Sequence, residues 1–201
     1  MSQDSSSTRP SFEKLYDAHF DAIFRFVVYR VGNVAEAEDV TSQTFFKALR
    51  GYWRFRWLGG SASAWLYRIA ANEVTSHFRR RRPSRPLEEI PELVLQEAEK
   101  AERSLSRNEI FVELTAALRR LQPDEQTLVV LRYLEEKPFQ EIAEIVRKRT
   151  GTVTMRTHRA LQKLKMELEK RGVDHERFRE GFANPVPPRV PGGPVQANPT
   201  P

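Results

Sequence analysis

The sequence predicts an all-α protein of two small helical domains joined by a flexible linker. Three observations predict it. Apolar residues recur at helical three-and-four spacing from Phe12 to Val74 and again from Ile110 to Leu164. Between these stretches, P-S-R-P-L-E-E-I-P (83–91) sets three prolines against any helix, and the charge swings there from basic to acidic. The 201-residue composition, 39% hydrophobic and 30% charged, suits a soluble, charge-rich helical chain. The predicted division is a polar arm (1–10), a first helical domain (11–82), a linker with partial helix (83–107), a second helical domain (108–172) and a Pro/Gly-rich tail (173–201).

The first helix runs from Phe12 to about Val31, where Leu15, Phe20, Ile23, Phe24 and Val27 share a periodic face, and Gly32-Asn33 breaks it. The second spans roughly Ala35 to Arg50. Glu36, Glu38 and Asp39 in its first turns complement the helix dipole, and Val40, Phe45, Phe46 and Leu49 supply its apolar content. G-Y-W-R-F-R-W-L-G-G (51–60) follows, large aromatic residues interleaved with two arginines, a surface suited to stacking unpaired bases through Trp57.

The third helix, 61–82, organises the first domain. Ser61 or Ser63 caps it and Pro83 stops it. At about 100° per residue, Leu66, Ile69, Ala70 and Val74 share one side. Trp65, Arg68, Asn72, Thr75, Ser76 and Arg79 share the other. An aromatic ring, guanidinium forks, an amide and two hydroxyls on one face suit nucleic acid, and the terminal R-R-R-R extends the positive stripe.

In the second domain, 108–121 is amphipathic and Gln122-Pro123-Asp124 caps the next helix. Thr127 to Leu134 is the most apolar run, and a short helix begins with Pro138 at its first position. The polar turn 147–151 leads into a last helix from Thr152 to about Arg171. Two short helices on a tight turn, the second basic, make a helix-turn-helix candidate. Val153, Thr157, Ala160, Leu161 and Leu164 are expected inside. Met155, His158, Arg159 and Gln162 are expected outside, flanked by Thr154 and Arg156.

Other classes are excluded on composition. The net charge of +6 favours an acidic partner, nucleic acid or an anionic surface. No apolar run approaches the roughly 20 residues of a membrane span, and the N-terminus lacks the core of a secretion signal. The absence of cysteine rules out disulfides and thiolate metal sites. The four histidines form no metal-binding spacing, and no Gly-rich loop cradles a phosphate. No catalytic residue, metal or cofactor is therefore predicted, and no small-molecule substrate.

Three stretches together resemble the extracytoplasmic-function (group IV) sigma factors of bacterial RNA polymerase. A-E-D-V-T-S-Q-T-F-F-K-A-L (37–49) is similar to the helix with which that family grips the polymerase clamp. W-L-Y-R-I-A-A-N (65–72) is close to its W-L-Y-R-I-A-x-N signature. L-R-Y-L-E (131–135), E-I-A-E (141–144), G-T-V (151–153) and H-R-A-L (158–161) resemble its fourth-region helix-turn-helix. The resemblance implies a non-enzymatic, cytoplasmic protein that binds core RNA polymerase at clamp and flap and directs it to promoters. It implies polymerase contacts from Glu38, Asp39, Gln43 and Phe46. It implies minus-ten DNA contacts from the first domain (Trp57, Ser61, Trp65, Arg68, Asn72, Arg79) and minus-thirty-five contacts from the second (Thr154, Met155, Arg156, His158, Arg159). An anti-sigma factor is an implied partner. The chain departs from the family at Ser42-Gln43, Ala62 and Glu136-Lys137, and at Arg147-Lys148, where the turn usually has Gly and an apolar residue. The rival reading is a free-standing helix-turn-helix DNA-binding transcriptional regulator. A second rival is a single-strand binder built on 51–60 and the basic helix.

Overall fold

The computed structural model describes residues 10–55, 61–80 and 110–173, and these are helical with no strand among them. Helix α1 (Phe12–Val31) starts where the Ser11 hydroxyl accepts the Lys14 amide at 3.3 Å. It ends at Gly32 in the left-handed region (φ 71°), whose N–H donates to Val28 O at 2.7 Å. Asn33 then caps α2 (Val34–Gly51) by accepting the Glu36 amide at 3.0 Å. A single 3-10 turn, Tyr52–Arg54, leads toward α3 (Ala62–Arg80). The Ser61 hydroxyl accepts the Ala64 amide at 3.1 Å, so Ser61 rather than Ser63 caps α3.

These three helices form the first bundle. Leu66, Ala70 and Val74 are buried at the inner face of α3, as the periodicity predicts, and each Leu- or Val-sized side chain removed from water stabilises the fold by about 1.5–3 kcal/mol. Ile69 is only half-buried, and Tyr67 and Glu73 lie deeper than it does. The Glu73 carboxylate meets Lys47 of α2 at 2.5 Å, and Glu36 meets His77 at 2.9 Å, which pins α2 to α3.

The second domain begins with the helical segment 110–118 (α4). Helix α5 (Pro123–Val129) opens with Pro at its first turn and a capping box between Gln122 and Glu125. It runs into a π turn, Val130–Leu134, closed by Glu135 N–H to Val130 O at 3.0 Å and Lys137 N–H to Leu131 O at 2.8 Å. Helix α6 (Phe139–Val146) follows, with Pro138 at its cap and not, as the sequence suggests, its first residue. Helix α7 (Thr150–Glu169) completes the bundle. The predicted linker (83–107) lies outside the described residues.

The two domains share one core. Phe26, Val27 and Val31 of α1 belong to the same apolar cluster as Leu118, Val130 and Leu131. Arg30 is 2% exposed and donates to Gln126 Oε1 at 3.1 Å and to Thr127 Oγ1 across the junction. Burial lowers its pKa to about 10, against the pull of Asp124. Arg119 donates to the Val31 carbonyl beside Gly32.

Candidate nucleic-acid interface

The outward side of α3 carries the residues expected there. Asn72, Thr75 and Arg79 are exposed, while Ser76 and Trp65 are half-buried. The Trp65 ring lies 4.6 Å from Phe55 at an interplanar angle of 22°, a stacked pair that makes a flat apolar shelf beside the helix. Thr75 turns its hydroxyl back to Ala71 O at 2.8 Å, which leaves Asn72 and Arg79 as the polar groups presented to solvent there. Trp57 lies outside the described residues.

Arg68 departs from expectation in one respect. It leaves the first bundle's core, as the helical wheel requires, but it meets α6 instead of solvent. Its Nε donates to Ile145 O at 3.1 Å and its Nη2 to Glu144 O at 2.9 Å. Those carbonyls belong to the last turn of α6, where a cation satisfies orphan acceptors and complements the helix dipole. Burial and the nearby Arg147 both lower the Arg68 pKa, with burial the larger cause.

The second candidate surface is built on the helix-turn-helix. Three residues, Arg147–Arg149, separate α6 from α7. Arg147 takes the left-handed conformation (φ 53°, ψ 49°), and the turn is closed by Lys148 N–H to Ala143 O at 3.0 Å and Arg147 N–H to Glu144 O at 3.4 Å. This is the glycine-type helix stop made with an arginine. In α7, Val153, Thr157, Ala160 and Leu164 are buried, and Leu161 is half-buried. Met155 (53% exposed), His158 and Arg159 project outward. Thr154 bonds back to Thr150 O at 3.0 Å, and Arg156 pairs with Asp124 at 3.3 Å, both at the flank. The outward set offers donors and an apolar side chain on one helical face, the equipment of a major-groove reader.

A third surface lies on α2. Glu38, Asp39 and Gln43 are exposed, and so is Phe46 at 56%. Leu49 and Trp53 are also exposed, at 47% and 74%, and Arg50 lies 5.9 Å from the Phe46 ring centre. By composition Leu49 counts with the apolar content of α2. Its spacing from Phe46 and Trp53, three and four residues, was the signal that it belongs to an outward stripe. Among the described residues no group of His, Cys, Asp or Glu is arranged to hold a metal, and no helix is long and apolar enough to cross a membrane.

The fold and its surfaces define a two-domain, all-helical protein with a helix-turn-helix in one domain and a basic-aromatic helix face in the other. Residues 15–84 match the sigma-70 region 2 family and residues 111–164 match sigma-70 region 4. The chain is 37% identical over 158 residues to the ECF RNA polymerase sigma factor BldN of Streptomyces coelicolor, covering 77% of this chain and 59% of that protein. It is 32% identical to the RNA polymerase sigma-H factor of Pseudomonas aeruginosa, covering 79% of this chain and 86% of that one. Its fold is like that of the sigma factor RpoE of Bartonella quintana, solved with the anti-sigma factor NepR (TM-score 0.61, 23% identity, covering 79% of this chain and 96% of that one). The chain belongs to the extracytoplasmic-function family of RNA polymerase sigma factors. It spans about 60% of the length of BldN and of the Mycolicibacterium smegmatis relative SigE, at 59% and 63%.

Proposed function

We propose that the protein is an alternative sigma factor, which binds core RNA polymerase and directs it to specific promoters. The observation that carries this reading is the pairing, in one chain, of the exposed Asn72–Arg79 face of α3 with the exposed Met155–His158–Arg159 face of α7. A free-standing helix-turn-helix regulator would leave the first face without a role. The α3 face takes the minus-ten element as single strand. Trp65 supplies an apolar shelf, Asn72 reads a base edge together with Arg68 once that side chain leaves the α6 carbonyls, and Ser61 and Arg79 position the backbone. The α7 face takes the minus-thirty-five element, with Met155, His158 and Arg159 toward bases and Thr154 and Arg156 toward phosphate.

Two weak DNA modules on one tether gain affinity by acting together, which suits a subunit that is specific only when polymerase holds both. The polymerase clamp is assigned to Glu38, Asp39, Gln43 and Phe46, with Leu49 and Trp53 enlarging the apolar patch. The polymerisation chemistry belongs to core enzyme and not to this chain, which acts in the cytoplasm without cofactor. An anti-sigma factor is its expected inhibitor.

Reconstitution tests the reading. Core polymerase from a related bacterium, given this chain and a promoter library, should yield starts downstream of a shared two-part motif. Starts identical to those of core enzyme alone would contradict it.

A further inference from the structure

Met155 differs in chemistry from the surface around it. It is the sixth residue of α7 and 53% exposed, while the other exposed residues from Thr150 to Arg159 are polar or glycine. From Val153 to Thr157 only Met155 is exposed; Thr154 and Arg156 are half-buried. Their polar groups are directed elsewhere. The Thr154 hydroxyl bonds back to Thr150 O at 3.0 Å, and Arg156 reaches Asp124 of α5 at 3.3 Å. One turn on, the His158 ring lies 6.2 Å from the Phe139 ring of α6, which itself lies 4.9 Å from the Arg132 guanidinium. The group that this turn of α7 presents to solvent is therefore an apolar side chain.

The base edges of a major groove carry hydrogen-bonding groups, with one exception, the 5-methyl group of thymine. An apolar side chain on a helix entering that groove has no other apolar partner among the bases. Methionine, unbranched and polarizable, adapts well to such a methyl group.

We propose that Met155 helps select the minus-thirty-five element by packing on the 5-methyl group of a thymine, beside the base pairs met by His158 and Arg159. This rests on the reading of α7 as the helix that enters that groove. The contact separates thymine from the other ordinary bases. It does so through the methyl group and not through the pairing edge, so 5-methylcytosine offers the same partner.

Uracil in place of thymine tests this, because it pairs in the same way and lacks only the methyl group. Holoenzyme assembled from core polymerase and the full-length chain first selects promoters from a library randomised in the minus-thirty-five element. Each thymine of the selected element, on either strand, is then changed singly to uracil, and holoenzyme affinity is measured by fluorescence anisotropy at fixed salt. At one position the change should weaken binding about fourfold, the effect of one buried methyl group. With Met155→Ser the same change should have no effect, and Met155→Leu, which keeps an apolar tip, should restore most of it. A cytosine–guanine pair at that position should bind less well than thymine–adenine. Methylating that cytosine at C5 should recover part of the loss with the native chain and none with Met155→Ser.

The methyl contact is overturned if the selected element holds no thymine, if no uracil change weakens binding, or if the sensitive thymine stays equally sensitive with Met155→Ser. A selection that returns no shared minus-thirty-five motif would instead contradict the promoter reading of α7, and the methyl contact with it.

Discussion

Arg25 and Glu135 stand 110 positions apart in the chain and meet as a two-bond fork at 3.2 and 3.0 Å, closed on a third side by the Tyr67 hydroxyl at 2.9 Å. The Glu135 carboxylate is almost fully withdrawn from water. Burial is the larger influence on it and holds its pKa above the ordinary 4.5, although Arg25, Tyr67 and Lys137 all pull the other way. Tyr29 and Tyr67, held high by the same burial, remain protonated beside it.

That balance fixes a pH dependence. A carboxyl with a raised folded pKa binds its proton more tightly in the folded chain than in the unfolded one. Its contribution to stability is full below the ordinary value and is lost as pH rises through the raised one. Glu135→Gln retains an acceptor without charge. The urea midpoint of the native chain should therefore fall relative to that of Glu135→Gln as pH rises from the ordinary carboxyl range through the raised one. Midpoints that run parallel across this range would show that Glu135 titrates as a solvated group.

Two left-handed positions should respond with opposite sign. Arg147 adopts φ 53° without being glycine, and Arg147→Gly should raise stability by about 0.5–1 kcal/mol, reduced by the greater freedom of glycine in the unfolded chain. Gly32 adopts φ 71°, and a Cβ there would lie 3.0 Å from Arg119 Nη2 and 3.3 Å from Thr115 Cβ. Gly32→Ala should therefore cost about 1–2 kcal/mol. Urea titrations of the two variants check both signs.

The α2 stripe separates binding from folding. Phe46 and Trp53 are exposed at 56% and 74%, so Phe46→Ala and Trp53→Ala should each change stability by no more than about 0.5 kcal/mol. Each should weaken association with core polymerase by about 1–2 kcal/mol, the loss of an apolar anchor at an interface. Fluorescence anisotropy of labelled protein against core enzyme, read beside urea midpoints, distinguishes the two roles.

Helix geometry made much of this molecule legible in advance. The bounds of α1 follow from apolar period and the Gly32-Asn33 break, and the inner set of α7 follows from period alone, with Leu161 slightly outside it. What escaped was the junction. The sequence offers Ser63 only as a cap and Glu135 and Glu141 only as parts of motifs, and it does not single out Arg25, because their partners lie far along the chain and leave no local period. Arg68 was placed on the correct face, but nothing in the sequence revealed that α6 would cover it. Ile69 and Leu49 were expected deeper than they lie, because apolar character alone does not say which side of a helix meets the core and which meets a partner.

Asn72 is exposed on α3, about one turn beyond the covered Arg68, and is the group proposed to read a base once the duplex is open. The most direct test is permanganate reactivity of thymines in the minus-ten element, in promoter complexes assembled with core polymerase and either the native chain or Asn72→Ala. Reactive, unpaired thymines are expected with the native chain and a loss of about tenfold or more with the variant, at equal occupancy of the minus-thirty-five element. Equal reactivity in both complexes would contradict that role of Asn72.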